Sequence, residues 1–477
     1  MRGRLGLLVV AMAAGAAASP DEPGLLVARV DRLRAEGDLD TALEHARDGR
    51  ERFPDAIDLH ARYQDLCRSL GQEAQVRAEY RRRWRSNKTV ESICLYARLL
   101  EGRAAEREYR HALRLEPDHF WAHYGLGTTY LGMGDLAGAR HHLELAQTLR
   151  PDVAAPKIRL GRLAEREGDL EEALRCYRLA ARVAPDVPDP LFHEFFALLA
   201  LGDRGGAGAV AERLLAHRAP DAASLGHIAR GLLYSAGGDP AAAAAEFGAS
   251  VRVAVRFGGH ALVLLGDALA DVGRIDEARQ AYEEALARNA RNVRARLGLG
   301  YLLYRQGDLR AADREFAAAE DEAKRTDPRN AAQPCLFRGF LAEEAGRESQ
   351  ALHHVLRALR YDREDATAWL ALGALYERME QASKAQAAYE EAARLDEAGA
   401  LAPFQAGLVA ADLKRGNRSL ELLEEAVRRD PGLLDAYLAA GSVCQDLLAR
   451  PRDAKDWYRR YLDRGGSDPR VHDWLAE

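Results

Sequence analysis

The sequence predicts an all-α fold, an α-solenoid of stacked helix-turn-helix units. Internal repetition is the first reason. Residues 124–151 read YGLGTTYLGMGDLAGARHHLELAQTLRP and residues 158–185 read IRLGRLAEREGDLEEALRCYRLAARVAP. The same Leu, Gly, Gly-Asp-Leu, Ala, Leu-Ala and final Pro return in register. Composition is the second reason: Ala, Leu, Arg and Glu dominate and only 7% of residues are aromatic, as in mostly helical chains. Length is the third, because 477 residues imply several domains unless a repeat replaces the globular core.

Each unit reads as two helices around a Gly-Asp-Leu turn. Gly134 and Gly168 supply the left-handed conformation that ends a helix. Asp135 and Asp169 then cap the next helix by accepting from a free backbone N–H, with Glu172 as a capping-box partner of Asp169. The turn recurs at Gly37 and Gly307, and as Gly-Asp-Pro at Gly238, where Pro240 takes the favoured first helical position. Gly127 and Gly161 lie inside the first helix, where Gly costs roughly 1 kcal/mol relative to Ala. Repeating that cost predicts a close helix crossing, marked on the second helix by Ala139, Ala146, Ala173 and Ala180.

This pattern resembles the tetratricopeptide repeat, a helix-turn-helix unit of 34 residues. The matching positions are Leu126, Gly127, Tyr130, Gly134, Ala139, Leu143, Ala146 and Pro151, then Leu160, Gly161, Ala164, Gly168, Ala173, Tyr177, Ala180 and Pro185. Later units repeat them from Gly266 to Ala285, Gly300 to Ala319, Gly339 to Ala358 and Trp369 to Ala392, and weaker ones end at Pro54, Pro117, Pro220 and Pro431. About 12 or 13 units fit between residues 24 and 465. The resemblance implies a right-handed superhelix whose first helices line a concave groove.

Departures from the register carry information. The unit holding Ile93 to Pro117 is short in its first helix or turn, and Asp321 to Pro334 adds an extended helix or longer loop. After Gly465, residues 466–477 read as a closing helix begun by Asp468 and Pro469, with Trp474 and Leu475 covering the last repeat.

The first 18 residues read as an export signal: Arg2 and Arg4, an apolar stretch from Leu5, and a cleavage site between Ala18 and Ser19. Residues 19–23 form a short linker. The apolar run is short for a membrane-spanning helix, and no later segment crosses a bilayer, so no transmembrane span is expected after cleavage. An uncleaved anchor or a mis-chosen start codon is the alternative. Cys67, Cys94, Cys176, Cys335 and Cys444 lack the spacing of a zinc site or disulfide framework and read as buried thiols, although export leaves one bridge open.

In such repeats the preserved residues hold neighbours together, so partner choice falls to variable positions of the first helices. Those positions hold Trp121, Tyr124, Phe192, Phe196, Leu199, Arg296, Tyr301, Tyr304, Leu336 and Phe340. Aromatic side chains on a concave surface suit an apolar or aromatic peptide. Sealing of the helix-helix core is the competing role. Some members of the family clamp chain-terminal carboxylates with Lys and Asn. The corresponding positions here are Tyr124 and Thr128, Ile158 and Arg162, Val263 and Asp267, or Arg296 and Tyr301, so that clamp is missing.

Other constellations are thinner. Arg81, Arg82, Arg83, Arg85 and Lys88 surround Trp84, as an anion-binding patch or a solvated helix end. His119 and His123 have a metal-compatible spacing, and His141-His142 and His353-His354 are adjacent pairs, but no carboxylate set joins them. A charge of −6, from 68 basic and 74 acidic residues, gives no drive toward nucleic acid. No phosphate loop, serine elbow or zinc-protease motif is present, and the repeats leave no segment for an enzyme fold. The expectation is a non-enzymatic scaffold without cofactor or metal, holding a protein or peptide in its groove. Fold and address together imply a bacterial periplasmic role in secretion, pilus or polysaccharide-export assembly. A cytosolic adaptor with an uncleaved N-terminus, or a non-catalytic subunit of an enzyme such as a glycosyltransferase, is the alternative.

Overall fold

The computed structural model describes residues 23–35, 38–219, 221–254 and 257–476. The signal assigned to residues 1–18 and the turn glycine Gly37 lie outside them. The described residues form 27 α-helices and no strand, in two compact units that divide between Arg274 and Ile275.

The first unit holds seven consecutive helix pairs, from Pro23–Ala35 with Leu39–Arg52 to Ala222–Ala236 with Pro240–Val253, and then the helix Gly258–Val272. The second begins with Ile275–Arg288, continues through five pairs and closes with Arg470–Ala476. Within each unit a first helix packs on its own second helix, which packs on the next first helix. Apolar faces are therefore covered by sequence neighbours, as repeat architectures require.

The turn chemistry follows the sequence closely. Gly134 and Gly168 sit at φ of 82° and 80°. Asp135 accepts from the Gly138 N–H and Asp169 from the Glu172 N–H, both at 2.9 Å. The capping box at Glu172 does not form. The Asp169 N–H already donates to the Ala164 carbonyl, and the Glu172 carboxylate turns to Arg175 and Cys176. Three later turns have no glycine and place Glu380, Lys414 and Ala449 at φ of 58°, 59° and 51° instead. That conformation costs an L-residue roughly 1–2 kcal/mol.

Close packing explains the helical glycines. A Cβ on Gly127 would lie 2.7 Å from Leu143 Cγ, and one on Gly161 would lie 2.5 Å from Tyr177 Cε1. Ala139, Ala146, Ala173 and Ala180 are fully buried opposite them.

The irregular units are also resolved. The short one has a first helix of eight residues, Val90–Ala97. The added residues extend the second helix of its pair to Leu309–Thr326, followed by a 3₁₀ turn at Pro328–Ala331. On that helix Glu320 is 1% exposed and held by Lys324 at 2.7 Å, Arg338 at 3.0 Å and Arg357. At the end, Asp468 accepts from the Arg470 N–H, and Trp474 lies 5.0 Å from the Tyr458 ring, covering the last pair. All five cysteines are free and buried.

Candidate functional site

The helix Phe120–Met133 divides its residues between two faces. Phe120, His123, Leu126, Gly127 and Tyr130 are buried on one. Trp121, Tyr124, Gly125, Thr128, Thr129 and Gly132 recur at helical spacing on the other and line a cleft of about 620 Å³ in the first unit. Ile57 and Ala61, Leu95 and Arg98, Tyr109, and Arg159 contribute from neighbouring helices.

The aromatic wall is fixed in place. Trp121 meets Phe120 edge-on at 4.9 Å and Tyr124 at 6.1 Å, and it packs against the buried clusters on both sides. Arg159 Nε donates to the Tyr124 hydroxyl at 3.4 Å. The floor is flat, because the Tyr109 ring lies against Gly125 where a Cβ would stand, while a Cβ on Gly132 would meet only open space. Thr128 and Thr129 hydroxyls donate to the carbonyls of Tyr124 and Gly125, both at 2.8 Å, which leaves each oxygen its acceptor capacity.

Cys94 lines the same cleft with its Sγ 3.8 Å from His119 Nδ1. The pair is poorly arranged for thiol chemistry. Burial pushes the Cys94 thiol up and the His119 imidazole down, so both neutral forms are favoured where a nucleophile needs a thiolate. His119 Nδ1 also accepts from the Ala122 N–H at 3.2 Å, which makes it a helix cap.

The sequence-chosen residues fall into three groups. Trp121 and Tyr124 share the cleft. Phe192 is half-buried and Phe196 is 41% exposed, with ring centroids 5.0 Å apart beside the buried Phe195. In the second unit Tyr301, 42% exposed, stands 6.5 Å from Tyr304 and 6.0 Å from Phe337, whose ring lies 6.2 Å from Phe340. Burial, and then the neighbouring Glu344 carboxylate, push the Tyr304 phenol up. Arg296 is committed locally, donating to Glu315 at 2.8 Å and to the Ala290 carbonyl at 2.9 Å. Leu336 is buried and Leu199 half-buried.

Among the thinner candidates, Trp84 stacks on Tyr96 at 5.3 Å and Arg83 donates to the Pro54 carbonyl. His123 is spent on His142 at 2.9 Å and the Pro117 carbonyl at 2.7 Å, away from His119. Among the described residues no three His, Cys, Asp or Glu side chains are grouped to hold a metal ion. No described helix is long and apolar enough to cross a membrane. Tyr109, Arg98 and Phe337 had escaped the sequence reading. Only the period of the repeat, extended to every position of the first helix, could have found Phe337.

Profiles of the tetratricopeptide repeat match residues 108–141, 156–187, 263–331 and 366–398. The chain belongs to the tetratricopeptide repeat family. No curated protein sequence matches it. Among solved structures it is similar to yeast Tom70, with 14% identity over 78% of this chain and 90% of that one, TM-score 0.42. It is also similar to the Cut9-Hcn1 hetero-tetramer of the APC/C, with 13% identity over 95% and 96%, TM-score 0.39. YrrB, a tetratricopeptide repeat protein with an unusual peptide-binding site, matches at 19% identity over 42% of this chain and all of its own, TM-score 0.36. These likenesses are too distant to carry a partner across to this tetratricopeptide protein.

Proposed function

We propose that this protein is a non-catalytic scaffold that binds a protein partner through the first-helix cleft around Trp121 and Tyr124. The carrying observation is the cleft itself: an aromatic wall fixed by neighbouring rings, a glycine floor and unspent hydroxyl lone pairs in about 620 Å³. That volume suits a few side chains of an extended segment. Membership in a repeat family whose stacked helices present partner surfaces supports the same reading. So does the use of the described helices, which are consumed by pair packing.

Export to the cell envelope, with a part in assembling secretion, pilus or polysaccharide-export machinery, is the finer proposal. It is supported by the charge and apolar pattern of residues 1–18. A mature N-terminus at Ser19 is the expected result of sequencing the protein from cells, and an intact Met1 in the cytosol contradicts it.

Crosslinked affinity capture tests the cleft. Trp121→Ala with Tyr124→Ala is expected to lose a partner that Phe196→Ala with Tyr301→Ala retains, at equal helicity and melting. Loss of that partner only from the Phe196 and Tyr301 variant moves the site to those exposed rings.

A further inference from the structure

A second hollow of about 470 Å³ adjoins the cleft and shares Ile57 and Trp121 with it. The two differ in charge. Asp55, Asp58 and Glu91 line the second hollow, and its one basic group, His119, is kept neutral by burial. Arg68, Arg98 and Arg159 line the first, against Glu101 alone.

Much of this charge is uncompensated. Arg98 is neutralised by Asp65 at 2.8 Å, but among the described residues neither Arg68 nor Arg159 has a carboxylate within ion-pair distance. Arg68 only donates to the Arg98 carbonyl at 2.9 Å. At the acidic end Asp58 meets Arg62 at 3.8 Å, while Arg62 is forked onto Asp31, and neither Asp55 nor Glu91 has an ion-pair partner among the described residues. Acids at helix starts and bases at helix ends also favour helix dipoles. That accounts for Asp58, Glu91 and Arg68, and in part for Asp55, one residue before the N-cap Ala56. It does not account for Arg159, which lies mid-helix in Ala154–Glu167.

From this juxtaposition we infer that the groove takes an extended peptide of opposite end charges, its basic side chain on Asp55, Asp58 and Glu91, an apolar side chain on Ile57 and Trp121, and its acidic side chain on Arg68 and Arg159. Asp58 and Arg68 are ten residues apart on one helix, a rise of about 15 Å. An extended chain covers that in about four to five residues, which sets the spacing of the two peptide charges. The assignment rests on the peptide-binding reading of the cleft.

Selection of a random peptide display library on the full chain, with deep sequencing, tests both levels. Trp121-dependent peptides enriched in a basic and an acidic residue at that spacing are expected. Arg68→Glu, at an exposed position, should remove the acidic preference alone and weaken a selected peptide about five- to tenfold, and Asp55→Lys should remove the basic preference alone. Arg159→Glu should remove the acidic preference too, together with the bond to the Tyr124 hydroxyl. Trp121-dependent peptides with no charge pair, or with only one sign, overturn the inference and leave the cleft as a peptide site. Selection that ignores Trp121→Ala overturns both.

Discussion

His123 Nε2 donates a hydrogen bond at 2.7 Å to the carbonyl of Pro117, six residues upstream. The same latch recurs with other donors. His60 reaches the Pro54 carbonyl at 3.0 Å, Lys157 the Pro151 carbonyl at 2.7 Å, and Arg296 the Ala290 carbonyl at 2.9 Å. Trp369 reaches the Arg363 carbonyl at 2.9 Å and Tyr437 the Pro431 carbonyl at 3.2 Å. Each donor stands in the first turns of a first helix and satisfies a carbonyl between that helix and the one before it. These carbonyls lie at exposed residues of the inter-helix turns, and any side chain with reach and an N–H or O–H can supply them a partner.

The latch predicts that removing only the donor weakens the turn. Tyr437→Phe should destabilise by about 0.5–1.5 kcal/mol, with faster amide exchange confined to the adjoining turn. Unchanged exchange there contradicts a stabilising role.

Two helical glycines should respond oppositely to a methyl group. Gly161→Ala drives a Cβ to 2.5 Å from Tyr177 and should cost about 1–3 kcal/mol. Gly132→Ala meets nothing within 4 Å and should be neutral or stabilising by up to about 1 kcal/mol. Circular-dichroism melts of the two variants check the contrast.

The left-handed turn at Lys414 carries a cost that glycine lacks. Lys414→Gly is expected to raise stability by about 1 kcal/mol despite glycine's greater freedom when unfolded. A lower melting temperature shows that the lysine makes up the difference in some other way.

Acid should loosen the first unit. Burial, then the charge of Arg83, holds His60 down at about 4, and burial, then His123, holds His142 at about 4. Both lie below the ordinary histidine value, so the fold favours the neutral rings. The stability they contribute is full above about 6.5 and is lost as pH falls from there toward about 4. Melting temperature should drop across that window, and His142→Asn should flatten part of the drop. A flat wild-type profile contradicts the assignment.

The repeat spacing and turns were legible because they rest on local chemistry: Gly134 and Asp135 announce a helix end and the next start without reference to distant residues. The same logic failed at Glu380, Lys414 and Ala449, where stacking imposes a conformation that the residue itself disfavours. Glu320 was invisible because its cations come from Lys324, Arg338 and Arg357, and two of these lie on later helices. In the cleft, Trp121 and Tyr124 stood out as aromatic residues at variable positions. Tyr109 did not, because it reaches the cleft from a second helix only through the missing Cβ of Gly125. Arg296 looked like a ligand group, but charge on a first helix says nothing about which partner it already holds.

The most direct test is photo-crosslinking in cells from a benzoylphenylalanine placed at Thr128, on the cleft floor. A defined partner band that disappears with Trp121→Ala is the predicted result. If position 128 captures nothing while probes at Phe196 or Tyr301 capture a partner unaffected by Trp121→Ala, the cleft is not where this protein does its binding.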